Sequence, residues 1–162
     1  MTIVVGTDTY LSVTDANTYW SNRGNADWSA ASTTAKEAAL REATQYVDGA
    51  FDFIGNQIIE NVLAWPRAGV VIETGNFRGI AYDSDTIPPQ VKNAVAELAL
   101  EALTARLAPS QARGGAVKRE KVDVIEVEYM DFAPSGKVYS FAAMILKPLT
   151  TGSKSTRKLI RT

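Results

Sequence analysis

Apolar positions recur at helical spacing in four stretches of the chain. In the first, Ala16, Tyr19 and Trp20 share one stripe, and Ser12-Val13-Thr14-Asp15 supplies a capping pattern before it, with Gly24 as the residue that ends the helix. In the second, Ala35, Ala39, Ala43, Tyr46, Val47 and Ala50 fall on one face of a helix from about Thr33 to Ala50. Lys36, Glu37, Arg41, Glu42, Gln45 and Asp48 cover its other side, with Glu37 and Arg41 as an i, i+4 pair.

The third stretch is the strongest. Ile87 precedes a proline and is extended, Pro88 and Pro89 suit a helix start, and Val91, Ala94, Val95, Leu98, Ala99 and Ala102 form a broad apolar stripe running on to Leu103 and Leu107. Pro109, Gly114 and Gly115 stop it. The fourth is short: Val138, Phe141, Ala142, Ile145 and Leu146 predict a small amphipathic helix ended by Pro148.

Two regions break this rhythm. Residues 51–87 read as an irregular connection punctuated by Gly55, Gly69, Gly75 and Gly79, with short turns of helix expected near 57–63. There Trp65-Pro66-Arg67 is expected to anchor the loop, with Trp65 supplying area, Pro66 a fixed turn and Arg67 a surface charge. Residues 117–130 look extended: Val122 and Val124 share one parity, Ile125, Val127 and Tyr129 the other. The phase change between 124 and 125 predicts a bulge or a surface contacted on both sides. The fold class is therefore mainly α: a small helical bundle with a β element near 117–130 and an extended C-terminal arm.

With 162 residues, 46% of them apolar, the chain has the size and composition of one domain with a real core. The domain is expected over 1–150 and the arm over 151–162. The arm is polar and basic, with Lys154, Arg157, Lys158 and Arg161 around Leu159-Ile160. No leader is read at Met1–Val5, and the longest uncharged apolar run, Phe141–Leu146, is far short of the roughly 20 residues of a membrane span, so no membrane contact is expected.

A net charge of −1 conceals a division. Residues 1–105 carry 13 acidic and 6 basic side chains, whereas residues 106–162 carry 5 acidic and 11 basic ones. Asymmetry of this kind points to a partner: nucleic acid, or an acidic surface on a neighbouring copy or another protein.

The candidate chemistry is sparse. With no histidine and no cysteine, the chain has no His- or Cys-based triad, thiolate nucleophile or His/Cys metal site. No cofactor is expected, and no glycine cradle with a following Lys and Ser or Thr is present. Asp83 and Asp85 sit close together before the third helix, where they suit its positive end better than they suit a metal. An enzyme built on them is the least favoured reading. Single-strand binders combine a basic groove with aromatic platforms. Here most aromatics lie in the acidic part and the basic arm has none.

The order of Ala16-Asn17-Thr18-Tyr19, Lys36-Glu37-Ala38-Ala39-Leu40, Leu63-Ala64-Trp65-Pro66-Arg67 and Ile87-Pro88-Pro89 resembles a family of tailed-bacteriophage proteins encoded among head and tail-joining genes. Members are often labelled DnaT-like single-stranded-DNA-binding proteins, and they are similar to head–tail connector adaptors. The resemblance covers roughly residues 8–150, which makes 1–150 the adaptor domain.

The resemblance implies a structural virion protein without catalysis: a ring of about twelve copies beneath the portal, joining capsid to tail. The protein would be in host cytoplasm during assembly and in the virion afterwards. The implied partners are the portal protein, a downstream connector or tail protein, further copies of the chain, and nonspecific contact with packaged DNA. Within that picture Lys154, Arg157, Lys158, Leu159, Ile160 and Arg161 are the expected portal-binding residues. Val122, Val124, Ile125 and Val127 are the expected subunit–subunit contact. The alternative is a single-stranded-DNA-binding protein of phage replication.

Overall fold

A computed structural model describes residues 2–73, 76, 78–109, 119–122, 125–128 and 139–151. The protein is mainly α, with helices α1 (Val13–Ser21), α2 (Ala26–Ala30), α3 (Thr33–Ala50), α4 (Pro89–Ala102) and α5 (Ser140–Leu146), the last running into a 3-10 turn at Lys147–Leu149. Three two-stranded antiparallel ladders accompany them: β1 (Asn56–Gln57) with β2 (Arg67–Ala68), β3 (Val70–Val71) with β4 (Ala81–Tyr82), and β5 (Arg119–Val122) with β6 (Ile125–Glu128). By contacts the chain divides into two units, Met1–Leu107 with Tyr139–Thr162, and Ala108–Val138.

Side-chain oxygens start the first three helices by accepting otherwise unpaired backbone N–H groups. Ser12 Oγ accepts from Asp15 N at 3.0 Å, Asn25 Oδ1 from Trp28 N at 2.9 Å, and Ser32 Oγ from Ala35 N at 3.2 Å. Ser12 also donates its hydroxyl to Asp15 Oδ2 at 2.7 Å, so the Ser-x-x-Asp pattern closes on itself. Proline starts α4, with Pro88 at the cap. Helix α1 stops at Ser21, and Gly24 takes φ +64° in the turn beyond.

The core of the larger unit forms where α3 packs on α4 and α4 on α5. Alanines carry much of that contact: Ala39 and Ala43 on α3 and Ala94 and Ala99 on α4 are all buried. Small residues let the helix backbones approach closely, and Leu40, Val47, Val91, Val95 and Leu98 fill the space around them. Ala142 and Leu146 of α5, with Leu149 after it, close the core.

Several expectations need correction. Gln57 belongs to β1 and residues 58–63 form turns and bends, not helix, because the apolar side chains there do not share one buried stripe: Ile59 and Val62 are exposed while Leu63 is buried. The long connection is instead organised by β1–β2 and β3–β4. The parity change at 124–125 is not a bulge within one strand but the passage from β5 to β6. The chain doubles back there, and Val122 and Ile125 are cross-strand partners. Helix α4 ends at Ala102, well before Pro109, and Leu107 is buried beyond the helix end. Lys36, assigned to the polar side of α3, is buried with Nζ 5.6 Å from the Trp28 ring centre. Phe141, assigned to the core side of α5, faces solvent.

Candidate functional site

A connected polar group joins Tyr10, Asp48 and the Leu63–Arg67 segment. Tyr10 precedes α1 and is fully buried, and Asp48 lies in the last turns of α3. The Tyr10 hydroxyl donates to Asp48 Oδ1 and accepts the Trp65 N–H at 3.1 Å. Asp48 Oδ2 accepts the Ala64 N–H at 3.1 Å. Two backbone amides of a loop, which would otherwise lose their hydrogen bonds to water, are thereby paired.

Burial dominates the ionisation of this group. It pushes the Tyr10 phenol far above its usual range, and the hydrogen bond and charge of Asp48 push the same way. Burial also raises Asp48, while Tyr10, the Ala64 amide and the Arg67 charge oppose the rise.

Arg67 finishes the lock. Its Nε donates to Ile54 O at 2.8 Å, one terminal nitrogen to Ala64 O at 3.4 Å, and the other to Gly55 O at 2.8 Å and Phe53 O at 3.4 Å. The expected surface charge is therefore a half-buried clamp across four carbonyls. Asn61 adds a contact from Nδ2 to Pro66 O at 2.9 Å, and the Trp65–Pro66 peptide is cis. Trp65 is buried as expected.

Beside this lock lies a groove of about 1190 Å³. Its walls come from the end of α3 and the following turn (Phe51, Asp52, Ile54), from β3 and its exit (Val71, Glu73), and from α5 and the 3-10 turn (Ala143, Met144, Lys147). Helix α5 has the sequence Ser-Phe-Ala-Ala-Met-Ile-Leu, apolar on every side after Ser140. Such a helix belongs in an interior, yet Met144 is 61% and Phe141 51% exposed. A second apolar projection stands on the β1–β2 connection, where Ile59 is 95% and Val62 74% exposed.

The aromatics go the other way. Trp20, Trp28 and Trp65 are buried, and so are Tyr10 and Phe53. Trp28 donates its indole N–H to Asn17 Oδ1 at 2.9 Å. Tyr19 donates to Glu97 Oε1 at 2.6 Å, and the Arg23 guanidinium lies 3.5 Å over its ring. Tyr46 and Tyr139 meet edge to face at 5.3 Å. Among the described residues Phe141 alone of the aromatics is exposed.

Of the residues expected to bind partners, Lys154, Arg157, Lys158, Leu159, Ile160 and Arg161 lie outside the described residues, as does Val124. Val122, Ile125 and Val127 fall on β5 and β6. Asp83 and Asp85 flank a turn in which Thr86 N donates to Asp83 O and the Thr86 hydroxyl to Asp85 Oδ1. No cluster of acidic side chains suited to a metal occurs among the described residues, and no described helix is long and apolar enough to cross a membrane. The groove itself was missed in the sequence. Its one signal was the absence of a polar side from α5.

The model of the family described as "Putative DnaT-like ssDNA binding protein" matches residues 1–162. The chain belongs to this family. No curated protein and no solved structure matches it. In this DnaT-like protein the Leu-Ala-Trp-Pro-Arg segment is a structural lock, and apolar projections and a groove are exposed among the described residues.

Proposed function

We propose that this protein works by assembly and not by catalysis, as a connector adaptor that joins a phage head to its tail in a ring beneath the portal. The observation that carries this reading is the exchange of roles on the surface. Large aliphatic side chains are exposed at Ile59, Val62 and Met144, while among the described residues Tyr10, Phe53 and the three tryptophans are buried and Phe141 alone of the aromatics is exposed. Exposed apolar patches suit protein partners. The basic segment from Lys154 to Arg161 would steer toward an acidic portal surface, with Leu159 and Ile160 as its anchors. The β5–β6 hairpin, with Val122, Val124, Ile125 and Val127, is the proposed contact between copies.

A second reading is single-stranded-DNA binding in phage replication. The family's description favours it more directly than it favours a connector. The basic arm would then supply phosphate contacts without sequence preference.

Co-sedimentation with the portal protein encoded in the same genome separates the two. The connector reading expects the full chain to pellet with portal rings, and a variant lacking 152–162 to stay folded and remain in the supernatant. Val122→Lys with Ile125→Lys should block ring formation and leave the monomer folded. An oligo-dT titration through a salt series gives the contrary outcome. Single-strand affinity that persists at high salt, with no portal attachment, would overturn the connector reading.

A further inference from the structure

We infer that the groove beside α5 is a docking site for the protein's own C-terminal arm, residues 152–162. The inference goes beyond the connector reading and does not depend on it. It starts from where the described chain ends. Ile54 N donates to Leu149 O at 2.9 Å and Thr151 N to Asp52 O at 2.9 Å, with Phe53 and Thr150 paired between them. This pairing fixes Thr151 on the groove, and Thr150 and Thr151 both line it. The arm therefore leaves the body at the groove's edge.

Chemistry and reach agree. The groove offers apolar walls at Phe51, Ile54, Val71 and Met144, of which Val71 is 47% exposed and Met144 more so. The arm offers an adjacent apolar pair, Leu159-Ile160. Among the charged groove residues two are acidic, Asp52 and Glu73, and one is basic, Lys147. The arm carries Lys154, Arg157, Lys158 and Arg161 and no acidic residue. Leu159 is eight residues beyond Thr151, a reach of roughly 26 Å when extended. Helix α5, which forms one wall, is only about 10 Å long. Gly152 follows Thr151 directly and permits a sharp reversal. A tethered segment also sees its site at an effective concentration near the millimolar range, which favours the chain's own arm over that of another copy. Docked in this way, the arm covers the exposed side of α5 until a partner competes for it.

The absence of cysteine makes the test clean. In the full chain, Met144→Cys is combined with Leu159→Cys, and disulfide formation under oxidised glutathione is followed by gel mobility. Met144 is exposed, so its replacement leaves the core alone. The control pairs Leu159→Cys with Ile59→Cys, which is exposed but not part of the groove. The groove pair should close within one chain at least tenfold faster than the control, at a rate unchanged by dilution. Added salt, or Glu73→Lys, should slow it. Equal rates for the two pairs would overturn the inference, and so would predominantly disulfide-linked dimers, which would assign the groove to a second copy's arm.

Discussion

The hydroxyl of Tyr10 and the carboxylate of Asp48, 38 positions apart in the chain, meet in a partly buried hydrogen bond, and the same hydroxyl holds the backbone of Trp65. The contact ties the segment before α1 to the end of α3 and to the loop after it. Tyr10→Phe keeps the ring and removes the hydroxyl, leaving the Trp65 N–H and one Asp48 oxygen without their partner. The expected loss is about 1–3 kcal/mol in urea unfolding at neutral pH. Asp48→Ala should cost at least as much, because the Ala64 amide also loses its acceptor.

Asp48 gives the pH dependence a definite sign. Burial raises its pKa in the folded state above the ordinary carboxylate value. The native state therefore holds this proton more tightly than the unfolded chain does. The resulting contribution to stability is complete below the unfolded value, near 4, and is lost as pH rises through the folded one. Asp48→Asn removes that titration. The difference in unfolding free energy between wild type and Asp48→Asn should thus change across this acidic window and be flat above it. A difference independent of pH would contradict the burial of the carboxylate.

Arg67 shows what a sequence conveys and what it withholds. Its neighbour Trp65 was legible as an anchor, since a large apolar ring among glycines has few other uses. The role of Arg67 was not legible, because four carbonyls from residues 53–55 and 64 become its partners only once the chain has folded back. Helices α3 and α4 were readable from periodicity because one face of each is nearly all apolar. Lys36 and Asp48 misled for the same reason: spacing put them on the polar face, and burial against Trp28 and Tyr10 is a tertiary fact. The hairpin at 119–128 was readable as extended but not as two strands, since a parity change alone fits either a bulge or a reversal.

Replacing Arg67 by lysine keeps the charge and loses the planar fork, so one ammonium cannot span the same carbonyls. Arg67→Lys should cost about 2 kcal/mol and should raise protease sensitivity within 53–67. A thermal unfolding curve superposable on wild type would show that the clamp is dispensable.

Gly55 sits where the clamp and the groove meet. Its φ is +75°, and a Cβ there would lie 2.6 Å from Val70 Cγ2 and 2.8 Å from Ala68 O. Gly55→Ala should therefore destabilise by about 2–4 kcal/mol, from the positive φ and the clash together. Gly79→Ala serves as the comparison: φ is +87° but no atom lies within 4 Å. It should lose only the conformational part, about 1–2 kcal/mol. Equal losses at the two sites in denaturant unfolding would contradict the close approach at Gly55.

The central claim, assembly into a head–tail connector, is tested most directly by quantitative mass spectrometry of purified virions of the phage whose genome encodes this chain. The account predicts the protein in the particle at a copy number matching the portal protein. Absence from the particle, together with abundance in infected cells, would contradict it and leave single-stranded-DNA binding as the reading to pursue.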